Sequence, residues 1–256
     1  MKKKVLTLAV SLMLLLASCA SLMTVLDTVV SSAPLTEAEV SDGLKEALIT
    51  GARNAAGRLG ATDGYFGDQA VRILLPEEAA VIVDNISKIP GGDRLVQDVI
   101  LSINRAAEDA ARDVAPIFVN SVTSMTLRDA FGILNGSDDA ATRYLHNTTY
   151  DQLYTLYTPK IGASINKPLV GNVSTQDTWD ALTQQWNQFA TSLAGRLAGF
   201  KPVETDLSSY LTHRALDGMF LKVAEEELKI REDVNARVTP LLKRVFGTLD
   251  NRQTGA

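Results

Sequence analysis

The sequence predicts an all-α protein, a single compact bundle of about nine or ten helices with little or no sheet. Apolar residues recur at helical spacing along most of the chain, and Ser, Thr or Pro residues stand where these stretches begin. Segments of alternating polarity are almost absent, which argues against a β-rich fold. No repeat of fixed period is present, so a solenoid is not expected.

The first elements follow from helix-start signals. Thr36 and Glu39 form a capping box, which predicts a helix that continues to about Leu59. Residues 71–75 are partly β-branched and partly alternating, so we expect a short extended segment there. Pro76 at a first helical position, followed by two glutamates, predicts the next helix.

The middle of the chain predicts helices that are separated by prolines and turn residues. The apolar spacing over residues 96–114 predicts a long helix that Pro116 kinks or interrupts. Thr126 is expected to cap a short helix over residues 127–134. A Ser-Asp-Asp turn is expected to cap another helix over residues 140–146.

The next two helices also begin at polar caps. Thr149 is the first residue of a second capping box and opens a helix that Pro159 interrupts. Ser174 introduces a helix that contains both tryptophans.

Two helices complete the predicted bundle. Residues 207–230 form a long amphipathic stretch. Pro240 begins the last helix, and Gly247 is expected to end it. The polar residues that follow are expected to form a frayed tail.

Composition limits the classes of function. The chain has 256 residues, one cysteine and two histidines, and its 25 basic and 30 acidic side chains give a net charge of −5. A single cysteine excludes internal disulfides and multi-cysteine zinc or iron–sulfur sites. The acidic balance argues against nucleic acid as the main partner.

The N-terminus has the pattern of a lipoprotein signal peptide. Three lysines at residues 2–4 precede an uncharged apolar run over 5–17, which is shorter than the ~20 residues of a transmembrane helix. The run ends in Leu-Ala-Ser followed by Cys19, which resembles the lipobox of bacterial lipoproteins. By that resemblance residues 1–18 are removed and Cys19 carries acyl chains such as palmitate. The alternative is an ordinary signal peptide with a chance cysteine.

A lipid anchor would determine where the protein is located. Ala20 follows the cysteine, where an aspartate would be the inner-membrane retention signal of enteric bacteria. We therefore expect the periplasmic face of the outer membrane, in a Gram-negative host. The expected partners are the membrane, through the anchor, and an envelope protein, whereas the oligomeric state stays open.

The predicted organisation has four parts, with no linker long enough to separate a second domain. They are the signal peptide (1–18), a lipidated N-terminal segment (19–34), the all-α domain (35–248) and a polar tail (249–256). The N-terminal segment contains an apolar helical stripe that either packs on the body or lies on the bilayer. Asp27 is its only charge and no lysines flank it, which favours packing.

Several ordered phrases resemble a known bacterial family, the domain of unknown function 4197. They are found at residues 42–48, 104–108, 115–118, 133–145, 215–220, 224–227, 230–231 and 241–247. The resemblance runs from about Ala38 to Gly247. It implies a helical fold and an address in the cell envelope, but the family has no established activity and therefore supplies no catalytic residues.

No catalytic motif stands out in the sequence. The chain lacks G-x-S-x-G, H-E-x-x-H, a P-loop and a dinucleotide fingerprint, so no catalytic or cofactor-binding residues are predicted and an enzyme is not favoured. His146 and His213 are far apart in sequence, which argues against a paired metal site.

The strongest candidate site is a set of polar residues on apolar helix faces. Glu227 fills a gap in the apolar stripe between Phe220 and Ile230. A buried carboxylate must be paired or neutralised, and Arg231 is one turn away. We predict that several such groups converge into one polar cluster inside the bundle. Its candidate members are Asn104, Arg105, Glu108, Asp138, Asp139, Arg143, Glu226, Glu227 and Arg231.

Three interpretations of the candidate residues stay open. In the first, the charges form structural ion pairs, Asp138 and Asp139 cap a helix, and the protein is a non-catalytic binding or scaffolding module. In the second, Glu227 and one of these aspartates are the paired carboxylates of a hydrolase or lyase. In the third, Trp179 and Trp186 line a groove that carries an apolar envelope molecule rather than packing in the core. We favour the first.

Overall fold

The structure, a computed structural model, describes residues 34–76, 80, 83–84, 92–170, 172–203 and 206–253. Three predictions lie outside these residues. They are the signal peptide with the lipidation site Cys19, the helical stripe of the N-terminal segment, and most of the helix that begins at Pro76.

Nine α-helices are present in the described part of the chain, which confirms the predicted all-α class. They are α1 (Glu37–Leu59), α2 (Gly92–Ala111), α3 (Ala115–Thr123), α4 (Leu127–Leu134), α5 (Ala140–Ile165), α6 (Thr175–Thr191), α7 (Leu193–Leu197), α8 (Leu207–Glu232) and α9 (Pro240–Gln253). Two short antiparallel strands, β1 (Pro168–Val170) and β2 (Val173–Ser174), pair just before α6, and a 3₁₀-helix (Val234–Ala236) follows α8.

Capping boxes start α1, α4 and α6. The Thr36 hydroxyl accepts a hydrogen bond from the Glu39 N–H at 3.2 Å, and the Glu39 carboxylate accepts one from the Thr36 N–H at 2.9 Å. Thr126 before α4 and Ser174 before α6 make the same exchange with an aspartate three residues later. These reciprocal bonds satisfy backbone donors that the first helical turn leaves free. All three helices therefore begin where the sequence predicted.

α5 is one continuous helix, so the start predicted at Thr149 and the break predicted at Pro159 are both wrong. The Thr149 hydroxyl donates to the Leu145 carbonyl, one turn back, at 2.6 Å and therefore caps nothing. Pro159 lies on an exposed face of the helix, where the carbonyl of Thr155, which loses its partner, can bind water. The buried face, with Ile161 fully enclosed, keeps the helix intact.

α9 continues to Gln253, so the predicted end at Gly247 is wrong and the first residues of the predicted tail are helical. Asp250 accepts two hydrogen bonds from Arg237, both 2.7 Å long. The Arg237 side chain is buried and also donates to two carbonyls at the end of α8. A glycine inside a helix costs about 1 kcal/mol relative to alanine, and the bidentate pair at Asp250 offsets that cost.

We expect Asp250→Ala to lower the free energy of unfolding by about 1–3 kcal/mol, because the buried Arg237 guanidinium loses its carboxylate partner. Lys243→Ala is the matched control, since Lys243 is exposed on the same helix and forms no ion pair among the described residues. Urea unfolding of both variants measures the difference. Equal stabilities would show that the end of α9 contributes nothing to the fold.

Four helices form the centre of the bundle. α8 packs along α5 and α1, α2 packs along α5, and α1 also contacts α3, α4 and α9. The core between them is apolar, with Phe118 placed edge-on to Phe220 at 6.0 Å between ring centroids. α6 differs, because its main contacts are with α7 and β2. The packing therefore places Glu227 of α8 in the interior and leaves α6 and α7 at the edge.

Candidate functional site

The single converged cluster that we predicted does not form among the described residues. Hydrogen bonds divide its members into two buried groups and several contacts nearer the surface. The first group is Glu227 with Arg231 on α8. The second is Asn104 and Glu108, with Arg105, on α2. The members outside both groups are Asp138, Asp139, Arg143 and Glu226.

Glu227 caps the start of α5 from a different helix. Its carboxylate accepts hydrogen bonds from the backbone N–H groups of Ala141 and Thr142, at 3.0 and 2.8 Å, and from the Thr142 hydroxyl at 2.8 Å. A carboxylate is favoured at this place, because the first-turn N–H groups are unpaired and carry the positive end of the helix dipole. The N–H groups at the start of α5 therefore compensate part of the negative charge on the buried Glu227 carboxylate.

Arg231 completes the group and ties it to α4. Its guanidinium donates to one oxygen of Glu227 at 3.0 and 2.8 Å. It also donates to the carbonyls of Ile133, at 2.9 Å, and Leu134, at 3.4 Å, in the last turn of α4. A cation is favoured at this end of a helix. One buried ion pair thus joins the end of α4, the start of α5 and the middle of the bundle.

The remaining predicted members make local contacts. Asp139 is the N-cap residue of α5 by position, but its side chain makes no capping bond. It accepts from the Ser137 hydroxyl at 2.6 Å and pairs with Arg143 at 3.5 Å, and these groups lower the pKa of its carboxyl. Asp138 is exposed. Glu226 accepts from Asn54 on α1 and from Lys229.

These positions do not supply the carboxylate pair of the hydrolase interpretation. The oxygens of Glu227 are engaged by Arg231 and by the first turn of α5, and neither Asp138 nor Asp139 bonds to it. The cavity beside Glu227 and Arg231 has a volume of about 20 Å³ and is otherwise lined by apolar residues of α1, α5, α8 and α9. That volume holds about one water molecule, not a substrate.

The second group holds the segment that follows α1. The Asn104 amide accepts from the Ile73 N–H at 2.9 Å and donates to the Ile73 carbonyl at 2.8 Å, as a neighbouring strand would. It also donates to the Ile100 carbonyl at 2.7 Å. Residues 72–76 form neither a helix nor a strand, and Ile73 pairs with the Asn104 side chain instead of with a strand.

Glu108 fixes the turn that contains Tyr65 and Phe66. Its side chain is 2% exposed and accepts from both backbone N–H groups at 3.2 Å. Arg105 donates to Glu108 at 2.6 Å and to Asp63 at 2.7 Å. Glu108 thereby satisfies one buried and one partly buried backbone donor of a loop that contains neither helix nor strand.

Aromatic rings complete the anchoring of this turn. The Tyr65 hydroxyl is fully buried and donates to the Ala215 carbonyl of α8 at 2.7 Å. Burial raises the pKa of Tyr65 and that of the equally buried Tyr157, so both hydroxyls stay neutral. Phe66 lies under the guanidinium of Arg72, 4.2 Å from the ring centre. The ring of Tyr65 is thus part of the hydrophobic core and holds the turn to α8.

Lys222 on α8 is a buried cation that the sequence argument missed. It is 3% exposed and donates to Asp68 at 2.9 Å and to Glu225 at 2.7 Å. Arg58 of α1 contacts the same two carboxylates. Lys222 comes three residues after the buried Met219, so it also lies on the apolar stripe of α8. The helical spacing that identified Glu227 could therefore have identified Lys222 as well.

Stability should depend on pH through Asp68. The hydrogen bond from Lys222 lowers the pKa of this carboxyl below its ordinary value of 3.8. Its contribution is therefore fully present above pH 3.8 and is lost as the pH falls through the lower folded-state pKa. We expect Asp68→Asn to cost about 1.5 kcal/mol at neutral pH and almost nothing below that pKa. Urea unfolding at both pH values measures this, and an equal loss at both would contradict it.

α6 and α7 expose a group of apolar side chains that we name the tip surface, comprising Phe189, Leu193, Leu197 and Phe200. Their exposed fractions are 47%, 70%, 81% and 41%. Trp186 lies behind them, with ring centroids 6.0 Å from Phe189 and 5.2 Å from Phe200. Exposed apolar side chains that are concentrated on an edge element are typical of an interaction site.

The tip surface has a defined backbone. Asn187 of α6 donates to the Val203 carbonyl at 3.0 Å and accepts from the Val203 N–H at 2.7 Å, which closes the segment after α7 onto α6. Gly195 packs so closely that a Cβ there would lie 2.2 Å from the Phe189 carbonyl oxygen. Gly199 has a φ of +80°, which favours glycine. The exposed side chains are therefore presented by a folded unit.

The two tryptophans do not line one groove. Trp179 is 4% exposed and belongs to the hydrophobic core, whereas Trp186 packs behind the tip surface. The cavity beside Glu227 contains neither of them, and a polar depression on α6 is lined by residues such as Asp180 and Asn187. The two tryptophans therefore do not line either of these two cavities together, as the alternative of an apolar carrier would require.

Comparison with known proteins places the chain in a family. A family model described as protein of unknown function (DUF4197) matches residues 34–247. The chain belongs to the DUF4197 family. The match confirms the resemblance drawn from the ordered sequence phrases. No curated protein and no solved structure gives a significant match.

Neither membrane spans nor metal sites were found in the described part of this DUF4197 protein. None of its described helices has the length and apolarity needed to cross a bilayer. No three metal-binding side chains come together among the described residues. His213 instead shares a 2.6 Å hydrogen bond with Tyr150, and the His146 ring packs at a tilt against the same tyrosine.

Proposed function

We propose that this DUF4197 protein is a non-catalytic binding or scaffolding module, held by acyl chains on Cys19 at the periplasmic face of the outer membrane. The tip surface is the observation that carries the binding role. The lipobox resemblance of Leu-Ala-Ser-Cys19 supports the anchor and the location. Several acyl chains on one residue give durable attachment, because each buried methylene contributes about 0.8 kcal/mol.

The buried carboxylates already have hydrogen-bond partners within the protein, which supports a binding function rather than a catalytic one. Glu227 and Glu108 face backbone N–H groups and arginines, and their bonds connect helices and loops. A catalytic carboxylate needs access to a substrate, which a cavity of about 20 Å³ does not provide. The tip surface, by contrast, exposes four large apolar side chains to solvent.

Photo-crosslinking in cells tests the proposal. A photoreactive phenylalanine analogue replaces Leu197 in the tip surface or, as a matched control, Leu127 on α4, which is also half exposed or more. We expect discrete adducts, to protein or lipid, at position 197 and not at position 127. Cys19→Ala should remove them, because the body then leaves the membrane. Equal adducts at both positions, or adducts that are independent of Cys19, would contradict the proposal.

A further inference from the structure

The tip surface differs from the rest of the exposed surface in its apolar content. Four of the ten large hydrophobic residues that are exposed in the described part fall within residues 189–200. The other six are scattered over several elements, as is normal for a soluble surface. Trp186, Phe189 and Phe200 contact one another, with centroids 5.2–6.0 Å apart. This concentration of aromatic and aliphatic side chains needs a specific occupant.

The tip surface is accompanied by two cations. Residues 181–203 contain Arg196 and Lys201 and no aspartate or glutamate, and Asp180, Glu204 and Asp206 stand just outside this stretch. Both cations are exposed, and neither forms an ion pair among the residues that the structure describes. The tip therefore combines exposed apolar side chains with two exposed cations.

We propose that the tip surface binds the surface of an anionic phospholipid bilayer. Leu193 and Leu197 enter the interfacial region, and Arg196 and Lys201 meet lipid phosphates. Aromatic and apolar side chains flanked by cations are the composition of segments that lie in the membrane interface. This inference rests on the proposed function and names the partner of its binding surface.

Charge favours a bilayer over a second copy of the chain. Two tip surfaces that face each other would bring Arg196 and Lys201 of both copies together, and residues 181–203 contain no carboxylate that could pair with them. Like charges at an interface cost association energy. Phosphatidylglycerol head groups instead neutralise these cations and accept the leucines into the acyl boundary.

The anchor by itself leaves the orientation of the body undetermined. The segment from Cys19 to Pro34 spans up to about 50 Å when extended. A domain of this length has a radius of gyration of roughly 17 Å. An extended tether would permit any face of the bundle to meet the membrane, whereas a segment that packs on the body would restrict the choice. In both cases the tip surface supplies an additional preference.

Brominated lipids test the contact, because bromine quenches tryptophan fluorescence only at close range. The acylated protein is reconstituted in phosphatidylethanolamine vesicles that contain one quarter phosphatidylglycerol, with or without bromine on the acyl chains. Trp179→Phe leaves Trp186 as the sole tryptophan, and Trp186→Phe leaves the buried Trp179 as control. We expect bromine to reduce the Trp186 emission about two-fold and to leave that of Trp179 unchanged.

Two further variants identify the groups responsible. In the Trp179→Phe background, Leu193→Ser with Leu197→Ser should abolish the quenching although the anchor is intact. Arg196→Gln with Lys201→Gln should reduce it in vesicles with phosphatidylglycerol and not in vesicles of phosphatidylcholine. No quenching of Trp186, or quenching that survives the serine pair, overturns the proposal. Chemical crosslinks between copies through the tip, without quenching, overturn it in favour of self-association.

A second experiment uses the fluorescence of an attached dye and leaves both tryptophans in the protein. Leu197→Cys labelled with an environment-sensitive dye should shift its emission to the blue on the vesicles, and Leu127→Cys on α4 should not. An unshifted dye at position 197 counts against the bilayer contact. The mass of the N-terminal peptide is measured first. Absence of acyl chains contradicts the proposed function, whereas acylated protein without tip contact contradicts only this inference.

Discussion

Glu227→Ala should lower the free energy of unfolding by about 3–5 kcal/mol, the largest effect that we expect from a single substitution in this protein. The variant leaves the Arg231 guanidinium buried without a counter-charge and removes the acceptor from two N–H groups in the first turn of α5. Urea unfolding followed by circular dichroism measures the loss. The ion pair joins three helices, so we expect a lower midpoint for the whole bundle.

The neighbouring residue provides the control for this experiment. Glu226→Ala removes a carboxylate from the same turn, but its partners Asn54 and Lys229 remain accessible to water. We expect a loss below about 1 kcal/mol. If the two variants were equally stable, Glu227 would not be the structural link between α4, α5 and α8 that the hydrogen bonds indicate.

Glu108→Ala should cost about 2–4 kcal/mol and should release the turn that follows α1. The N–H groups of Tyr65 and Phe66 lose their acceptor while buried, and Arg105 loses one of its two carboxylates. Hydrogen–deuterium exchange should show faster exchange over residues 63–73, because Glu108 holds this segment to α2.

Asp109→Ala separates this effect from a general loss of charge on α2. Asp109 is adjacent in sequence, lies on the exposed side of the helix and pairs with Lys160. We expect its removal to leave exchange over residues 63–73 unchanged. Protection of the turn that persists in Glu108→Ala would mean that the rings of Tyr65 and Phe66 hold it without the carboxylate.

Periodicity and capping residues were sufficient for most of the fold. The starts of α1, α4, α6 and α9 depend on bonds within one turn or on a proline, so the sequence contains the complete signal. Thr149 and Pro159 failed as predictors because their local preference is overridden by burial of the opposite face of α5. The end of α9 failed because its deciding partner, Arg237, lies outside that helix.

For the candidate site too, the sequence predicted the local contacts and not those between distant residues. A charge on an apolar stripe predicted that Glu227 is buried and paired, and its partner one turn away was among the candidates. The sequence could not show that α5 supplies the other donors, since that contact joins residues 85 positions apart. The sequence did not reveal the tip surface, because only the tertiary arrangement shows which apolar face stays exposed.

Fatty acid labelling of Cys19 tests the central claim, that acyl chains hold this helical body at the envelope. Cells that express the full chain, or its Cys19→Ala variant, are grown with radioactive palmitate, and the mass of the N-terminal peptide is determined. We expect label in the outer-membrane fraction, a chain that begins at an acylated Cys19, and no label in the variant. An unlabelled soluble protein whose chain begins at residue 20 or later would contradict the account.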